Sequence, residues 1–579
     1  MSSRAHSDHG LVDMTRSIAE IVQQRAEVQS DDTALTYLRD GENDAVSATY
    51  RELWDSVSRV AAEVAERGGA GKRVVLLYEP GIEYVAAFLG TMAAGAVAVP
   101  AYPPVSKQMA ERLSGVAGDC APELVLTTSL FAGGFKSRVE SLARASWIET
   151  DRLPRRSFTG VPIDGSALAM LQYTSGSTGT PKGVMLSHRN IVANCAAVHE
   201  WLGPDPGRRG CIWLPPYHDM GLLGGVLQPL FAGFPLVFMS PLHFVQRPVR
   251  WLRAISKYRV TLSGGPNFSY QMCATSIPED DLAGLDLSCW KEAFCGAEPV
   301  RPDTLSAFCA RFAASGFAAQ AINPCYGLAE STLIVTGKPP GGGPVYRNFD
   351  RDQLDQGVAR LAVAEAQAGG EAAHRAVGLT SCGRVTGGCD LRIVDPATRT
   401  EVAQGQVGEI WIAGPSVAQG YWNRADATHE TFACELPGRD ARFLNTGDLG
   451  FVHDGQLYVT GRTKDLIIIA GKNYYAEDIE RTVEEAHAAV SRGGAVAFSV
   501  DANNEEAVVV VAELRPKREP HDLSRVAEAI IAHVTSRHGV APKAVVVCKR
   551  GAIARTTSGK VRRAASRARY LAGDIRSID

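Results

Sequence analysis

The chain has 579 residues, which is too many for one hydrophobic core because domains usually contain about 100 to 200 residues. Hydrophobic residues make up 45% of it and charged residues 21%, the proportions of an ordinary soluble globular protein. The 60 basic and 63 acidic residues leave a net charge of −3, so we expect no nucleic-acid partner. The twelve cysteines include no CxxC pair, which indicates reduced thiols in a cytoplasmic protein.

The N-terminal part of the chain predicts helices and strands without a membrane span. Residues 1–10 lack the basic and then apolar layout of a signal peptide. Residues 50–68 place apolar side chains at helical spacing. Residues 84–105 carry no charge and are long enough to cross a membrane. They are rich in Ala and Gly, contain prolines and have no flanking basic cluster, so we predict a buried helix followed by a buried strand.

Strand-like runs alternate with helical patterns through most of the chain, for example at 122–129 and 257–265. This alternation predicts a mostly parallel α/β sheet with ligand sites at the carboxyl ends of its strands. After residues 461–465 a smaller unit with an α+β pattern fills the rest of the sequence. We therefore predict a large α/β region of several subdomains over 1–463 and a small α+β domain over 464–579.

A loop rich in glycine and hydroxyl groups begins the segment YTSGSTGTPKGVMLSHRN at 173–190. Glycines let backbone amides turn inward and hydroxyls add donors, so the loop suits a polyphosphate, and Lys182 adds a charge. It is not a Walker loop, because GK[ST] is absent at the required spacing. A flexible linker is the alternative, but an apolar strand precedes the loop and a helix follows it. The predicted phosphate-binding residues are Thr174, Ser175, Gly176, Ser177, Thr178, Gly179 and Lys182.

The segment TSGSTGTPKG resembles the signature of the adenylate-forming superfamily, which includes acyl-CoA synthetases, luciferases and nonribosomal peptide adenylation domains. Six further segments resemble that family's motifs in the same order: PPYHDMG (215–221), FCGAEPV (294–300), NPCYGLAES (323–331), NTGDLG (445–450), GRTKD (461–465) and TTSGK (556–560). The resemblance implies a large N-terminal region, a mobile C-terminal domain, and activation of a carboxylic acid by ATP and Mg²⁺ as an acyl-AMP.

The resemblance also assigns roles to single residues. Glu330 would help to hold Mg²⁺, a hard ion suited to carboxylate and phosphate oxygens. Lys560 would bridge the substrate carboxylate and the α-phosphate, where two anions must meet. Asp448 would accept hydrogen bonds from both ribose hydroxyls, and Arg462 would also contact the ribose. Taken singly, each of these residues has an ordinary structural explanation, such as a turn or a solvated surface position.

Further roles concern the adenine, the acyl entrance and the hinge. Tyr326 would stack on the adenine opposite a short backbone segment. His218 would shape the acyl entrance beside the phosphate, although a single histidine is more often structural. Lys464 would be the hinge of the mobile domain. The adenine-site residues implied by the resemblance are Gly296, Ala297, Glu298, Tyr326 and Gly327.

Within the superfamily, several features look like the fatty acyl-AMP ligases, which transfer the acyl group to an acyl carrier protein rather than to coenzyme A. Residues 217–270 resemble their acyl-site region, and Ala329 stands where many relatives carry Thr. An inserted segment over 337–376 looks like the insertion that in this branch restrains the C-terminal domain. The alternative is a plain surface loop. Ala476 and Ala554 depart from the family pattern, which usually has proline there.

The substrate side of the site is predicted less sharply. Apolar residues of 217–270 suit an alkyl tunnel but suit a hydrophobic core equally well. The predicted acyl-pocket residues are Phe234, Phe238, Phe244 and Phe268. We expect a medium- or long-chain fatty acid. A fatty acyl-CoA synthetase, an aryl- or amino-acid-activating domain with Asp219 as ammonium ligand, and a non-catalytic nucleotide-binding protein are the alternatives.

Overall fold

The computed structural model describes residues 15–136, 139–174, 181–339, 341–362, 376–469, 472–502, 505–516, 522–556, 559–575 and 577. The α-helices of this part are α1 (Ile18–Val28), α2 (Tyr50–Glu66), α3 (Ile82–Ala93), α4 (Lys107–Cys120), α5 (Ser129–Phe135), α6 (His188–Leu202), α7 (Gln228–Ala232), α8 (Pro241–Gln246), α9 (Val249–Tyr258), α10 (Asn267–Ser276), α11 (Pro302–Phe312), α12 (Arg351–Asp355), α13 (Ala425–Phe432), α14 (Ala476–Ala486), α15 (Leu523–His538) and α16 (Arg563–Leu571). A π-helix occupies Met220–Leu227.

The strands of the described residues form six sheets or hairpins. They are β1 (Thr33–Leu38), β2 (Ala45–Thr49), β3 (Arg73–Leu77), β4 (Val97–Ala101), β5 (Leu124–Thr127), β6 (Ser146–Glu149), β7 (Leu168–Thr174), β8 (Lys182–Ser187), β9 (Gly210–Ile212), β10 (Leu236–Met239), β11 (Leu262–Gly265), β12 (Glu292–Cys295), β13 (Ile322–Gly327), β14 (Ile334–Gly337), β15 (Tyr346–Asp350), β16 (Ala376–Thr380), β17 (Arg384–Val385), β18 (Asp390–Val394), β19 (Gly408–Ala413), β20 (Leu444–His453), β21 (Gln456–Arg462), β22 (Leu466–Ile469), β23 (Lys472–Tyr475), β24 (Val490–Ala502), β25 (Glu505–Leu514) and β26 (Ala544–Cys548).

The first sheet has six strands in the order β6-β5-β3-β4-β7-β8 and is parallel except for the last pair. Helix α2 begins where Thr49 and Glu52 form a reciprocal capping box. The uncharged stretch 84–105 contains most of α3 and all of β4, both buried, as the sequence predicted. Among the described residues no helix is both long enough and apolar enough to span a membrane.

The second sheet has nine strands in the order β17-β14-β13-β12-β11-β9-β10-β1-β2. Its central strands are parallel and its edge strands antiparallel. The predicted strand at 257–265 is shorter than expected, because α9 continues to Tyr258 and β11 starts only at Leu262. Two of its central strands, β12 and β13, overlap the motif segments 294–300 and 323–331.

The C-terminal part has its own core, built between a three-stranded sheet, β24-β25-β26, and the helices α14 and α15. A four-stranded antiparallel sheet, β18-β19-β20-β21, precedes it. The predicted fold class, a mixed α/β region with a small α+β C-terminal domain, is confirmed. The domain boundary at Thr463 and Lys464 stays a prediction; these residues lie in a short 3-10 turn between β21 and β22.

The inserted segment packs on both parts of the chain. Phe349 of β15 lies edge-on to Phe451 of the four-stranded sheet, with ring centroids 4.9 Å apart. Arg351 of α12 is buried, and its Nη1 lies 3.2 Å from His538 Nδ1 and 3.6 Å from a carboxylate oxygen of Asp478 in the C-terminal domain. Residues 363–375 lie outside the described part. The described residues of the inserted segment therefore contact both the four-stranded sheet and the C-terminal domain.

Candidate active site

A cavity of about 1550 Å³ lies between the N-terminal region and the C-terminal domain. Ser175–Gly179 fall outside the described residues. Gly296 does not line the cavity. A Cβ at this position would lie 2.8 Å from the carbonyl oxygen of Cys325, so only glycine fits. The predicted site residues that line the cavity are Thr174, Lys182, His218, Phe268, Ala297, Glu298, Tyr326, Gly327, Glu330, Asp448, Arg462, Lys464 and Lys560.

Two side chains from neighbouring strands hold the carboxylate of Asp448. The hydroxyl of Tyr326, near the end of β13, donates to Asp448 Oδ2 over 2.7 Å. Arg462 is the register partner of Asp448 across β20 and β21, and its Nε lies 2.8 Å from Oδ1. Asp448 raises the pKa of Arg462, and burial raises the pKa of Tyr326. The carboxylate expected to bind the ribose hydroxyls therefore has a fixed orientation.

Glu330 faces the cavity from a 3-10 turn that follows β13. Its Oε1 accepts a hydrogen bond from the hydroxyl of Tyr421 over 2.9 Å, and Lys182 Nζ lies 4.6 Å from the centroid of the Tyr421 ring. Burial raises the pKa of the Glu330 carboxyl, which forms no ion pair within the described part of the chain. The Tyr421 ring thus joins the predicted metal ligand to the predicted phosphate-binding lysine.

The surroundings of Glu330 fit Mg²⁺. No group of three or more His, Cys, Asp or Glu side chains at metal-binding distance occurs among the described residues. Mg²⁺ is commonly held by one or two carboxylates together with substrate phosphates and water, so a fully protein-built cage is not needed. A single half-buried carboxylate, with Lys182 on the other side of the Tyr421 ring, is a donor set of that kind.

Lys560 reaches the cavity from a tight loop of the C-terminal domain. Its backbone nitrogen donates to Thr556 Oγ1 over 3.0 Å, and the Thr556 nitrogen donates to the Lys560 carbonyl oxygen over 2.8 Å. Gly559 closes the loop with a φ of +85°, a conformation that favours glycine. Burial lowers the pKa of Lys560, and the carboxylates of Asp219 and Glu298 oppose that effect. A cation is thereby held at the junction of the two domains.

Asp219 has a role that its sequence context did not reveal. Its Oδ1 lies 2.6 Å from His218 Nδ1 and also accepts a hydrogen bond from the backbone nitrogen of Met220, where the π-helix begins. Burial alone would raise the pKa of Asp219, but His218 and Lys560 lower it below its usual value. Asp219 therefore orients His218, and its charge opposes the lowering of the Lys560 pKa by burial.

The four predicted acyl-pocket residues do not all lie at the cavity. Phe268 lines the cavity, but the other three predicted phenylalanines do not. Phe234 packs near the Arg208 guanidinium, Phe238 packs beside Tyr37, and Phe244 stacks on Trp213. Other apolar side chains line the cavity, among them Val198, Trp201, Leu202, Leu262, Phe294, Leu333 and Ile334. A buried Phe suits a core and a tunnel wall equally well, so the acyl-pocket residues stay a prediction.

These features define a class of protein, an enzyme that binds a nucleotide and a carboxylic acid in one cavity closed by a C-terminal lysine. The chain belongs to the family of AMP-binding enzymes, whose model matches residues 22–422. A second model, described as Disco-interacting protein 2-like, AMP domain, matches residues 464–579. The family resemblance inferred from the motifs is confirmed.

Curated relatives match nearly the whole chain. The medium-chain-fatty-acid–[acyl-carrier-protein] ligase JamA of Moorena producens is 39% identical over 571 residues, covering 96% of each chain. The long-chain-fatty-acid–AMP ligase FadD23 of Mycobacterium tuberculosis is 37% identical, covering 97% of this chain and 98% of the relative. The putative fatty-acid–CoA ligase FadD21 of the same species is also 37% identical, covering 97% and 99%.

Solved structures agree with these relatives. A fatty acid AMP ligase from Legionella pneumophila is similar with a TM-score of 0.75 and 35% identity, covering 96% of each chain. A chain from a study of fatty acyl-adenylate ligases from E. coli and L. pneumophila is similar with a TM-score of 0.86 and 32% identity, covering 96% of this chain and 98% of the other.

Proposed function

We propose that the protein is a fatty acyl-AMP ligase. It uses ATP to convert a medium- or long-chain fatty acid into acyl-AMP and pyrophosphate, and then transfers the acyl group to the phosphopantetheine thiol of an acyl carrier protein. The observation that carries this proposal is one cavity that is lined by Lys560, Glu330 and many apolar side chains. One curated relative is named as a ligase of a fatty acid and an acyl carrier protein, and another is named as a fatty-acid–AMP ligase.

The chemistry of the first step follows from the charges in the cavity. A carboxylate oxygen attacks the α-phosphorus, the bond to the bridging oxygen breaks, and that oxygen leaves with the electron pair as pyrophosphate. Two unit charges about 4 Å apart repel by roughly 4 kcal/mol at an effective dielectric of about 20. Lys560 offsets this repulsion where the two anions meet, and Asp448 holds the ribose in place.

Glu330 would hold Mg²⁺, and Lys182 would lie beside the phosphates. The bound ion supplies positive charge to the phosphate oxygens. Tyr421 orients Glu330 through its hydroxyl, 2.9 Å from Oε1. The described cysteines are free thiols, which suits a reducing compartment, so the proposal places the reaction in the cytoplasm.

The carrier protein is favoured over coenzyme A because the inserted segment docks on the C-terminal domain through Arg351 and His538. Rotation of that domain, with Lys464 as hinge, is the movement that a CoA-using cycle requires in the family that the chain resembles. The competing function is a fatty acyl-CoA synthetase, which the likeness to a putative fatty-acid–CoA ligase favours.

An amino-acid-activating domain and a non-catalytic nucleotide-binding protein are less well supported. An amino-acid substrate would need a free acidic ligand, but Asp219 already contacts His218 and Met220. A non-catalytic protein would have no need of Lys560 at the cavity. Failure of ATP–pyrophosphate exchange with every acid tested would favour the non-catalytic function.

The test is product analysis with Mg-ATP and a series of fatty acids, with and without coenzyme A and with a phosphopantetheinylated carrier protein. Acyl-AMP and acyl-carrier products with little acyl-CoA support the proposal. Efficient acyl-CoA formation would assign the protein to the synthetases instead.

A further inference from the structure

Gln228 is a buried polar side chain at the cavity. It is 1% exposed, follows the π-helix Met220–Leu227 and lines the cavity. Within the part of the chain that the structure describes, neither Oε1 nor Nε2 of its amide has a hydrogen-bond partner. An unpaired buried amide lowers stability unless a ligand or an ordered water pairs with it. Acyl-AMP formation makes no use of Gln228, so the unpaired amide points to a ligand contact away from the reacting atoms.

The backbone of Gln228 is held by the helix before it. Its backbone nitrogen donates to the Leu223 carbonyl oxygen, in the spacing of a π-helix. Gly224, four residues earlier, also lines the cavity, and a Cβ on Gly224 would lie 3.0 Å from Leu333 Cδ2. Residues four apart on a helix lie close to one face. Gln228 therefore faces the part of the cavity wall to which Gly224 and Leu333 belong.

The side chains on this part of the wall are apolar. Leu333 packs against a hydrophobic cluster, and several side chains of that cluster line the cavity with it. They are Val198, Trp201, Leu202, Leu262, Phe294 and Ile334. The indole nitrogen of Trp201 is already paired, since it donates to the Lys338 carbonyl oxygen over 2.5 Å. The amide of Gln228 therefore faces an apolar wall that does not hydrogen-bond to it.

The place of Gln228 indicates which part of a substrate it contacts. His218 and Lys560 line the cavity, and the substrate carboxylate is expected beside them. The π-helix that separates His218 from Gln228 has eight residues and is on the order of 10 Å long. The partner of Gln228 is therefore a group on the hydrocarbon chain rather than the carboxylate. An amide both donates and accepts hydrogen bonds, and a hydroxyl group does so as well, so one hydroxyl can pair with Oε1 and Nε2 together.

We propose that the substrate is a fatty acid with a hydroxyl group on its chain, and that Gln228 selects it. The hydroxyl donates to Oε1 and accepts from Nε2, so both amide atoms are paired when the substrate is bound. A plain alkyl chain leaves them unpaired, and a site built to hydrogen-bond a hydroxyl rejects the analogue that lacks it. Gln228 is a specificity-determining residue, because the hydroxyl takes no part in the reaction. This inference rests on the proposed acyl-AMP formation and narrows its substrate class.

The test compares Gln228→Met with the matched control variant Gln246→Met. Methionine is unbranched like glutamine and removes both polar atoms of the amide. Gln246 is exposed, lies on α8 and does not line the cavity. The ligands are dodecanoic and hexadecanoic acid and their hydroxy derivatives, with the hydroxyl moved along the chain. Displacement of a fluorescent fatty acid measures the dissociation constants, and ATP–pyrophosphate exchange measures kcat/KM.

We expect the unaltered protein to bind at least one hydroxy acid about ten- to a hundredfold more tightly than the plain acid of the same length. Gln228→Met should lose this preference and bind the plain acid more tightly, because its wall is then wholly apolar. Gln246→Met should keep the preference. Gln228→Met removes two unpaired polar atoms, so its melting temperature should equal or exceed that of the unaltered protein. If it does not fold, Gln228→Leu takes its place.

Equal affinity of the unaltered protein for each plain acid and all of its hydroxy derivatives overturns the proposal and leaves an ordered water as the partner of the amide. A preference for a hydroxy acid that survives in Gln228→Met overturns it as well, because another residue then recognises the hydroxyl. Displacement needs no turnover, so its result is separate from that of the product analysis. A protein that makes no acyl-AMP but binds a hydroxy acid through Gln228 would refute the proposed reaction and keep the specificity.

Discussion

Lys560 is held in the cavity by a loop that its own backbone closes, next to the carboxylates of Asp219 and Glu298. We expect Lys560→Ala to lower the rate of acyl-AMP formation by at least about a hundredfold, because the charge between two anions is lost. ATP binding should change less than about threefold. Single-turnover formation of acyl-AMP and calorimetric titration with ATP measure the two effects. Lys549→Ala, an exposed lysine of the same domain, is the control. Normal pyrophosphate release by Lys560→Ala would contradict the assignment.

Tyr421 is a second residue with a role that can be isolated. Its hydroxyl lowers the pKa of Glu330, which burial raises, so removing the hydroxyl raises that pKa further. Glu330 must be ionised to hold a cation, and its function is lost as the pH falls through its pKa. The acidic limb of the pH–rate profile should therefore move to higher pH in Tyr421→Phe, with roughly a tenfold loss at the acidic end. The profile of pyrophosphate exchange checks this, and a profile unchanged at its acidic limb would remove Tyr421 from the metal site.

Roles that depend on contacts between distant segments of the chain could not be predicted from the sequence. Tyr421 is 91 positions from Glu330 and belongs to none of the family motifs, but it reaches the site because the loop before it pairs with β8. Asp219 was considered only as an ammonium ligand, since its contact with His218 and its closeness to Lys560 depend on tertiary structure. The family resemblance, recognised from the order of the motifs, was enough to predict one shared site for Lys182, Glu330, Asp448 and Lys560.

Helix α12 is a short element whose effect depends on one buried arginine. Arg351 contacts His538 and Asp478 of the C-terminal domain. Asp478 keeps Arg481 as a partner, so Arg351→Ala should cost about 1–3 kcal/mol rather than the full penalty of an unpaired buried charge. The variant should also form more acyl-CoA in the presence of coenzyme A. Thermal unfolding and product analysis measure both effects, with the exposed Arg360→Ala as control. Unaltered acyl-CoA formation would show that the contact of Arg351 with the C-terminal domain does not decide between coenzyme A and the carrier protein as acceptor.

Helix α15 contributes the histidine that Arg351 contacts, His538, whose protonation depends on pH. His538 is buried between Arg351 and Thr482, and burial together with Arg351 lowers its pKa to about 3. The unfolded chain protonates His538 near pH 6.5, whereas the folded protein does not, so stability falls as the pH drops below 6.5. At pH 5 this amounts to about 2 kcal/mol. Urea unfolding at pH 7 and pH 5 should show a smaller pH effect in His538→Gln, and an identical pH effect in both proteins would contradict the prediction.

At the scale of the whole molecule, most periodic segments were predicted well, whereas the positions of the apolar side chains around the cavity were not. Residues 84–105 form the expected helix and strand because hydrophobic periodicity is a local property. Phe238 and Phe244 are as apolar as Phe268, but of these three only Phe268 lines the cavity, because tertiary packing decides which apolar side chains face it. The inserted segment was predicted as branch-specific, and its docking through Arg351 could not be read from the sequence.

The cavity joins two units of the molecule that are otherwise built separately. The N-terminal and C-terminal parts have their own hydrophobic cores, yet a ligand in the cavity touches both. Such a ligand adds to the direct contacts between the two units, because binding stabilises only the state in which both are folded and joined. A stable analogue of acyl-AMP should therefore raise the temperature at which the two parts unfold together, and by more than ADP-ribose, which lacks the acyl arm.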